Sequence, residues 1–416
     1  MGNKLVGNAI VFTQGGPTAV INASWVGVVE GLRDAPADVL TGIWGSLHGI
    51  DGVLNEEFVD LRAQSQKTLD AVSRTPATAL GTTRHKPNAE DNQKMLAVFK
   101  KYNIRYVFGA GGNDTSESLD LINDAAKASG YDLRMFHVCK TVDCDLMEND
   151  HTCGYGSAAR FVANAFRGAD LDNKAFGGIY LGVCMGRHAG FLTAAAALRR
   201  NEIADSGPHL VYVPERAFAV EQFVKDVEAV YKQHGRAVIA VSEGIEDKAH
   251  TPILQLLSSD KLEADSHGNV QLSGTGALTD ALIEQLKKHL EGNGIVKKLR
   301  ARGDTFGYLQ RSFTDLSSAD REEALQVGWT AAQEALRGEF TDGSIAIQRA
   351  SSNPYRAKFV RVPLKAVAGK TRHLPDEFIN AAGNNVTEQF IAWGLPLIGE
   401  NPLIGELDLR KKVAKK

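Results

Sequence analysis

The feature that most constrains the fold of this 416-residue chain is a repeated pattern in its first half, an apolar β-prone run that ends at a turn rich in glycine or polar residues. Asn8–Thr13 runs into Gln14-Gly15-Gly16, after which Pro17 suits the first position of a helix and Val20–Leu32 continues at helical spacing. Arg105–Gly109 leads through Ala110-Gly111-Gly112-Asn113-Asp114-Thr115 into a helix expected over about 116–128, with Thr115 as its cap. Leu133–Val138 meets Lys140-Thr141-Val142-Asp143-Cys144-Asp145, and Gly177–Val183 meets Met185-Gly186-Arg187. His209–Val213 and Arg236–Val241 are strand-like and are soon followed by Glu215 and Glu243. This alternation predicts an α/β fold of two Rossmann-like lobes with mostly parallel sheets. Ligands would gather in the cleft at the carboxyl ends of the strands.

Farther along, long amphipathic helices are expected over 275–293 and 318–337. Lobe one is expected to take 1–153 and about 312–360, and lobe two 154–311 and about 361–416, the last stretch as a helical addition. Pro-Leu-Ile-Gly-Glu recurs at 396–400 and 402–406, too short a unit for a solenoid, and the lysine-rich end from Arg410 reads as a solvated tail.

Charge narrows the function. With 47 Lys and Arg against 50 Asp and Glu, the chain has a formal charge of -3 and lacks the positive field of a nucleic-acid binder. Any anionic ligand must be held by local groups. The longest apolar stretch, around 189–198, is about half of the ~20 residues that span a bilayer, which argues against a membrane partner. Cys139, Cys144, Cys153 and Cys184 form no C-x-x-C pair and are too few to staple the chain, which fits a reducing cytoplasm, and Cys139 and Cys144 are expected to be buried packing residues.

Glycine turns that open helices can hold phosphate through backbone amides and the helix dipole, or can simply be tight connections. The turn at 109–114 is not a dinucleotide fingerprint, since Asp114 stands where the third glycine belongs. Gly369-Lys370-Thr371 is not a Walker A loop, because Leu364 occupies the place of its first glycine. The hexamer at 140–145 carries more chemistry. It sets a cation, a hydroxyl and two carboxylates directly after a buried strand, so one carboxylate can accept a proton while the other holds a hydrated magnesium ion, or the run can simply be a solvated turn.

Taken together, Gln14 to Asn22, Gly111-Gly112-Asn113-Asp114, Lys140-Thr141-Val142-Asp143, Met185-Gly186-Arg187, Ser242-Glu243-Gly244 and Gly307-Tyr308-Leu309-Gln310-Arg311 resemble, in this order, the signature set of the phosphofructokinase family. They are more narrowly similar to its pyrophosphate-dependent branch. The resemblance runs from about residue 8 to 312 and implies Mg2+-dependent, reversible phosphoryl transfer from pyrophosphate to the 1-hydroxyl of fructose 6-phosphate, by a homodimer or homotetramer. By the same resemblance Asp143 is the general base, with Thr141 and Val142 in its substrate loop, and Gly16 and Arg84 are on the donor side. Met185, Gly186 and Arg187 contact the sugar phosphate, Arg187 being counted with Asp143, Lys140 and Asp114 as catalytic. Glu243 binds sugar hydroxyls, Tyr308 and Arg311 grip the 6-phosphate, and Arg302 matches an arginine that reaches across a subunit boundary. Asn113, where the family has an aspartate, and Asp145 are the metal candidates. Lobe one is then the donor lobe and lobe two the sugar-phosphate lobe.

Donor choice also has a physical reading. ATP-using members carry glycine where Asp114 stands, and a carboxylate there adds bulk and like charge against the nucleotide's α-phosphate. Lys140, where they carry a small residue, adds a cation beside the transferring group. Gly178 stands where many members have an arginine. Three rival readings are an ATP-dependent enzyme of the same family, a dinucleotide-binding oxidoreductase and a non-catalytic sugar-phosphate sensor.

Overall fold

The computed structural model describes residues 5–200, 205–258, 275–400 and the isolated residues 404, 405, 407 and 413. Most of the second Pro-Leu-Ile-Gly-Glu and of the tail from Arg410 therefore lies outside the described residues. The described strands are β1 (Gly7–Thr13), β2 (Leu40–Ser46), β3 (Phe58–Asp60), β4 (Ile104–Gly111), β5 (Arg134–Cys139), β6 (Gly178–Cys184), β7 (Leu210–Tyr212), β8 (Arg236–Ser242), β9 (Ala301–Thr305), β10 (Asp342–Ser352) and β11 (Tyr355–Val362). They form two sheets, a seven-stranded one in the order β11-β10-β5-β4-β1-β2-β3 and a four-stranded one in the order β7-β8-β6-β9.

In the larger sheet β10, β5, β4, β1 and β2 run parallel, and only the edge strands β3 and β11 are antiparallel. All pairs of the smaller sheet are parallel. Parallel strands covered by helices on both faces run nearly continuously apolar, and β5 and β8 are buried at every position, their few polar residues Arg134, His137, Arg236 and Ser242 included. This is the α/β architecture that the alternating runs predict. The carboxyl ends of β1, β4 and β5 carry the turns at 14–16, 112–114 and 140–145, and those of β6 and β8 carry 185–187 and 243–244.

Local chemistry moves some boundaries. The first helix starts at Ile21, with Val20 as its cap residue, and not at Pro17. The carbonyl of Thr18 accepts the Ala77 N–H, which takes it out of helical bonding. The second starts at Asn113, so Gly112 is the cap residue and Thr115 is not. The Thr115 side chain folds back instead over Gly111, with its Oγ1 1.9 Å from where a Cβ on Gly111 would lie. The later helices at Ala277–Gly292 and Ser318–Arg337 agree with their expected spans.

Helix Ser318–Arg337 returns to the N-terminal part of the chain and packs on helix Ile21–Arg33. Glycines permit the close approach: a Cβ on Gly27 would lie 2.1 Å from the Leu325 carbonyl oxygen, and one on Gly328 1.9 Å from that of Ser24. Either Gly→Ala change would force the helices apart. The stretch after β11 is mostly irregular, its α-helices being only Leu364–Val367 and Glu388–Gly394 among the described residues. Its apolar side chains Leu374, Ile379, Phe390, Trp393, Leu397 and Ile398 complete the core around helix Tyr155–Phe176.

Candidate active site

The first glycine turn is laced to a second loop. Gly15 N–H donates to Thr83 O at 2.9 Å, Thr82 Oγ1 to Gly15 O at 2.8 Å and Gln14 Nε2 to His85 O at 2.8 Å. The His85 ring is fixed between Asp51 at 2.6 Å and Asp91 at 3.1 Å, and Asp91 also closes the capping box of helix Ala89–Lys101. Arg84 is thereby placed beside the turn, close enough for its charge to act on Lys140 and Arg311.

Lys140 leaves β5 and turns inward. It is 3 % exposed, and its Nζ donates to Gly16 O at 2.7 Å. Burial, followed by the nearby Arg311 cation, pushes its ammonium down to about 8. Arg311 arrives from the far side of the cleft, and its Nη1 lies 2.6 Å from where a Cβ on Gly16 would be. Any side chain at residue 16 would displace the guanidinium. Tyr308 carries that guanidinium over its ring at 4.3 Å and is itself half exposed.

Asp143 lies between these cations and the Arg187 loop. Burial holds its carboxyl above the usual carboxylate range, opposed by Lys140, Arg311, His188 and Arg187 in that order. Its N–H donates to Thr141 Oγ1 at 3.2 Å, while Thr141 N–H donates to Cys153 O and Thr152 Oγ1 to Thr141 O. Val142 points into the core. Asp145 is also raised, by burial and then by the charge of Asp143, and its Oδ2 accepts from Asn113 Nδ2 at 2.9 Å.

That bond turns the Asn113 carbonyl the other way. Its Oδ1 is buried and has no hydrogen-bond partner among the described residues. An orphaned buried amide oxygen on the residue that bonds Asp145 is a hard-oxygen donor of the kind Mg2+ takes. The set of two histidines and an aspartate elsewhere, Asp205, His209 and His234, does not read as a metal centre. Arg236 already holds Asp205, and His209 Nδ1 accepts the Val238 N–H, so its Nε2 carries the proton in the neutral ring.

On the other lobe, Met185 N–H donates to Gln310 Oε1 at 3.3 Å, and Ser242 Oγ donates to Gly186 O at 2.6 Å. The two loops after β6 and β8 are therefore tied together, and to the segment carrying Tyr308 and Arg311. Glu243 is buried, its N–H on Cys184 O, and its charge reaches Arg311. A cavity of about 440 Å³ adjoins Arg187, with His188, Glu215, Arg216, His250 and His373 among its walls. Glu243, Tyr308 and Arg311 do not line it.

Two residues are placed differently from the rest. Arg302 stands apart, exposed on β9 at the edge of the smaller sheet, with its Nη1 on the neighbouring Ala301 carbonyl. Asp114, in the first helical turn after Gly112, is exposed and pairs with Lys86 at 2.8 Å. Lys86 extends from the loop laced to Gln14–Gly15, so the pair bridges the two glycine turns. The Lys86 ammonium thus sits directly against the Asp114 carboxylate and offsets part of its charge.

The sequence reading passed over Lys86, His188, Gln310 and Arg372. His188 and Gln310 lie inside or beside motifs already singled out, and Lys86 is two residues from Arg84. Arg372 gives no local signal. All four cysteines are free and buried, with Cys139 and Cys153 Sγ atoms 3.9 Å apart beneath the 140–152 loop. Among the described residues no helix is long and apolar enough to cross a membrane.

Comparison with known proteins places this geometry. Residues 8–335 match the family model described as Phosphofructokinase. A Rhodospirillum rubrum protein named Pyrophosphate--fructose 6-phosphate 1-phosphotransferase is 48% identical over 394 residues, covering 94% of each chain. One of the same name from Xanthomonas campestris is 34% identical over 95% of this chain and 93% of its own. Among solved structures, a pyrophosphate-dependent phosphofructokinase from Marinobacter aquaeolei superposes with a TM-score of 0.82 at 28% identity, over 99% of this chain and 98% of its own.

Proposed function

This chain belongs to the phosphofructokinase family, and from that premise we propose that it transfers a phosphoryl group reversibly between pyrophosphate and the 1-hydroxyl of fructose 6-phosphate. The products are fructose 1,6-bisphosphate and orthophosphate. The observation that carries the donor side is Lys140, buried against the Gly16 carbonyl with Asp143 and Arg311 around it. A cation in that place meets charge as it redistributes between donor and acceptor oxygens, in a setting shielded from water.

In this reading Asp143 takes the proton of the 1-hydroxyl as its oxygen attacks phosphorus. A carboxylate whose affinity for protons is raised by burial suits that task better than an ordinary surface aspartate. Arg311 and Tyr308 hold the 6-phosphate, Glu243 the sugar hydroxyls, and Arg187 with Met185 and Gly186 the acceptor's approach. Gly16 leaves room for the donor, and Arg84 offsets its charge. Arg302 serves a neighbouring subunit in a homodimer or homotetramer, in keeping with its exposure on an edge strand. Asn113 and Asp145 would hold Mg2+, which when bound neutralises part of the charge on the donor phosphates. The setting is the cytoplasm, where four free thiols are at home.

The family resemblance puts Asp114 where ATP-using members carry glycine, and its pairing with Lys86 adds to the bulk there, which favours pyrophosphate over ATP. The test is a matrix of pyrophosphate and ATP against fructose 6-phosphate and sedoheptulose 7-phosphate, with Mg2+. Wild type should turn over with pyrophosphate and show little use of ATP. Asp114→Gly should raise kcat/KM for ATP at least about tenfold, the scale of one lost steric and polar clash. Turnover with ATP and none with pyrophosphate in wild type would defeat the donor assignment. An unchanged ATP rate in Asp114→Gly would defeat only the blocking role.

A further inference from the structure

The stretch after β11 carries no family signature in sequence, yet residues 371–374 touch three parts of the site. Thr371 pairs with Leu146 in an isolated antiparallel bridge, and Arg372 N–H donates to Asp145 O at 2.7 Å. The Arg372 side chain then passes along the loop, and its Nη1 donates to Asp150 O at 2.8 Å. Its guanidinium lies 4.6 Å over the Phe191 ring. His373 Nδ1 donates to His188 O at 2.8 Å, and Leu374 N–H to Glu215 Oε1 at 2.8 Å, the same oxygen that takes the Gly190 N–H.

One four-residue segment thus joins the turn carrying Asp143 and Asp145 to the loop carrying Arg187 and His188. The joined turn needs outside support. Cys144, between the two carboxylates, has φ of 59°, a left-handed conformation that a residue with a Cβ keeps only when its surroundings hold it there. The far half of the loop has other anchors. Asp150 N–H donates to Ile347 O, Asn149 Oδ1 accepts the Ile347 N–H, and His151 is bonded to both Asp150 and Glu323. The near half, 144–146, has Thr371, Arg372 and the Asn113–Asp145 bond.

We infer that Arg372 is a positioning residue for phosphoryl transfer, acting as the buckle of a strap at 371–374 that sets Asp143 and Asp145 against the Arg187 loop. This rests on the phosphotransferase reading above. The guanidinium acts through the loop: its Nη1 reaches Cys144 Sγ at 3.8 Å as well as Asp150 O, so it ties the left-handed residue between the two carboxylates to the anchored far half while its plane packs on Phe191. Displacement of a catalytic group by about 1 Å can cost ~10²-fold in rate. Binding of the substrates uses other side chains and should be little changed.

The test compares Arg372→Ala and Arg372→Lys with wild type, using pyrophosphate, fructose 6-phosphate and Mg2+. In Arg372→Ala, kcat should fall about 30- to 100-fold. Both KM values should stay within about threefold of wild type and the melting temperature within a few degrees. Low millimolar guanidinium should restore kcat of Arg372→Ala about tenfold and leave wild type unaffected, because the ion can reoccupy the site between Asp150 O and Phe191. Arg372→Lys, with a point charge and no planar fork, should fall between the two. A kcat within twofold of wild type in Arg372→Ala overturns the inference, as does a loss expressed in KM alone or an absence of guanidinium rescue. If Arg372→Ala does not fold, Arg372→Lys decides: reduced kcat at an unchanged melting temperature supports the strap, and wild-type kcat overturns it. Failure of both variants to fold assigns Arg372 to stability and also overturns it. Wild type inactive with pyrophosphate would instead count against the function, not the strap.

Discussion

Asp143→Asn should lower kcat by about three orders of magnitude, within the 10²–10⁴ range of positioned general-base catalysis, while both KM values stay within about threefold. The reason lies in what the substitution leaves alone. Asparagine keeps the shape of the side chain, the backbone N–H on Thr141 Oγ1 is untouched, and Lys140, Arg311 and Arg187 remain to bind anions. What disappears is the carboxylate that the proposed function assigns to take the hydroxyl proton. The variant should also be at least as stable as wild type at neutral pH. A carboxyl whose folded-state pKa lies above its unfolded value costs stability once pH rises above that unfolded value, near 4, because folding disfavours its ionised form. The difference in melting temperature should therefore shrink as pH falls toward 4. Steady-state kinetics and thermal unfolding from pH 4 to 8 check both parts. A kcat within tenfold of wild type would remove Asp143 from the proton-transfer step.

Lys140→Met should cost about 10²–10³ in kcat, the scale measured when one preorganised transition-state donor is removed. Methionine fills a similar volume, so the glycine turn should keep its path even without the bond to Gly16 O. The same residue makes a pH prediction. With its ammonium pushed down to about 8 by burial and by Arg311, Lys140 loses its charge as pH rises through 8 in the free enzyme. Wild-type kcat/KM for pyrophosphate should then decline on the alkaline side of about pH 8 with the slope of a single proton. In Lys140→Met that limb should be missing, because nothing at residue 140 titrates. A variant that keeps the limb would show that another group sets it.

These expectations trace back to segments whose structure is written locally. The turns at 14–16, 112–114, 140–145 and 185–187 were legible because each follows a short apolar run, and a parallel strand buried on both faces leaves that trace. The resemblance then gave the turns an order and a chemistry. Helix starts were less legible. Thr115 satisfies every local rule for a cap, and it lost that place because packing over Gly111 was available to it. In sequence Asp114 stands as a bare carboxylate, since nothing there shows that Lys86, 28 positions earlier, ends 2.8 Å away. Arg372 is the extreme case. Its partners are carbonyl oxygens more than 200 residues distant, and a backbone acceptor leaves no mark on composition or periodicity.

The positive charge that a chain at -3 needs for two polyanionic substrates is concentrated where these loops converge. Arg311 and Arg84 both act to lower the proton affinity of Lys140, and Arg84 acts to lower that of Arg311. Mutual repulsion of that kind is relieved when an anion binds among the cations, which favours the bound state without any change in fold. Arg311 reaches across to Gly16, so in the proposed function one cation would serve both donor and acceptor.

The most direct measurement is of the reverse reaction. Enzyme, Mg2+, fructose 1,6-bisphosphate and orthophosphate, with no nucleotide present, should yield pyrophosphate and fructose 6-phosphate, followed by ³¹P NMR. The pyrophosphate signal should rise as the 1-phosphate resonance of the bisphosphate declines, with the 6-phosphate retained. No pyrophosphate under these conditions, together with formation of ATP when ADP is supplied in place of orthophosphate, would contradict the account.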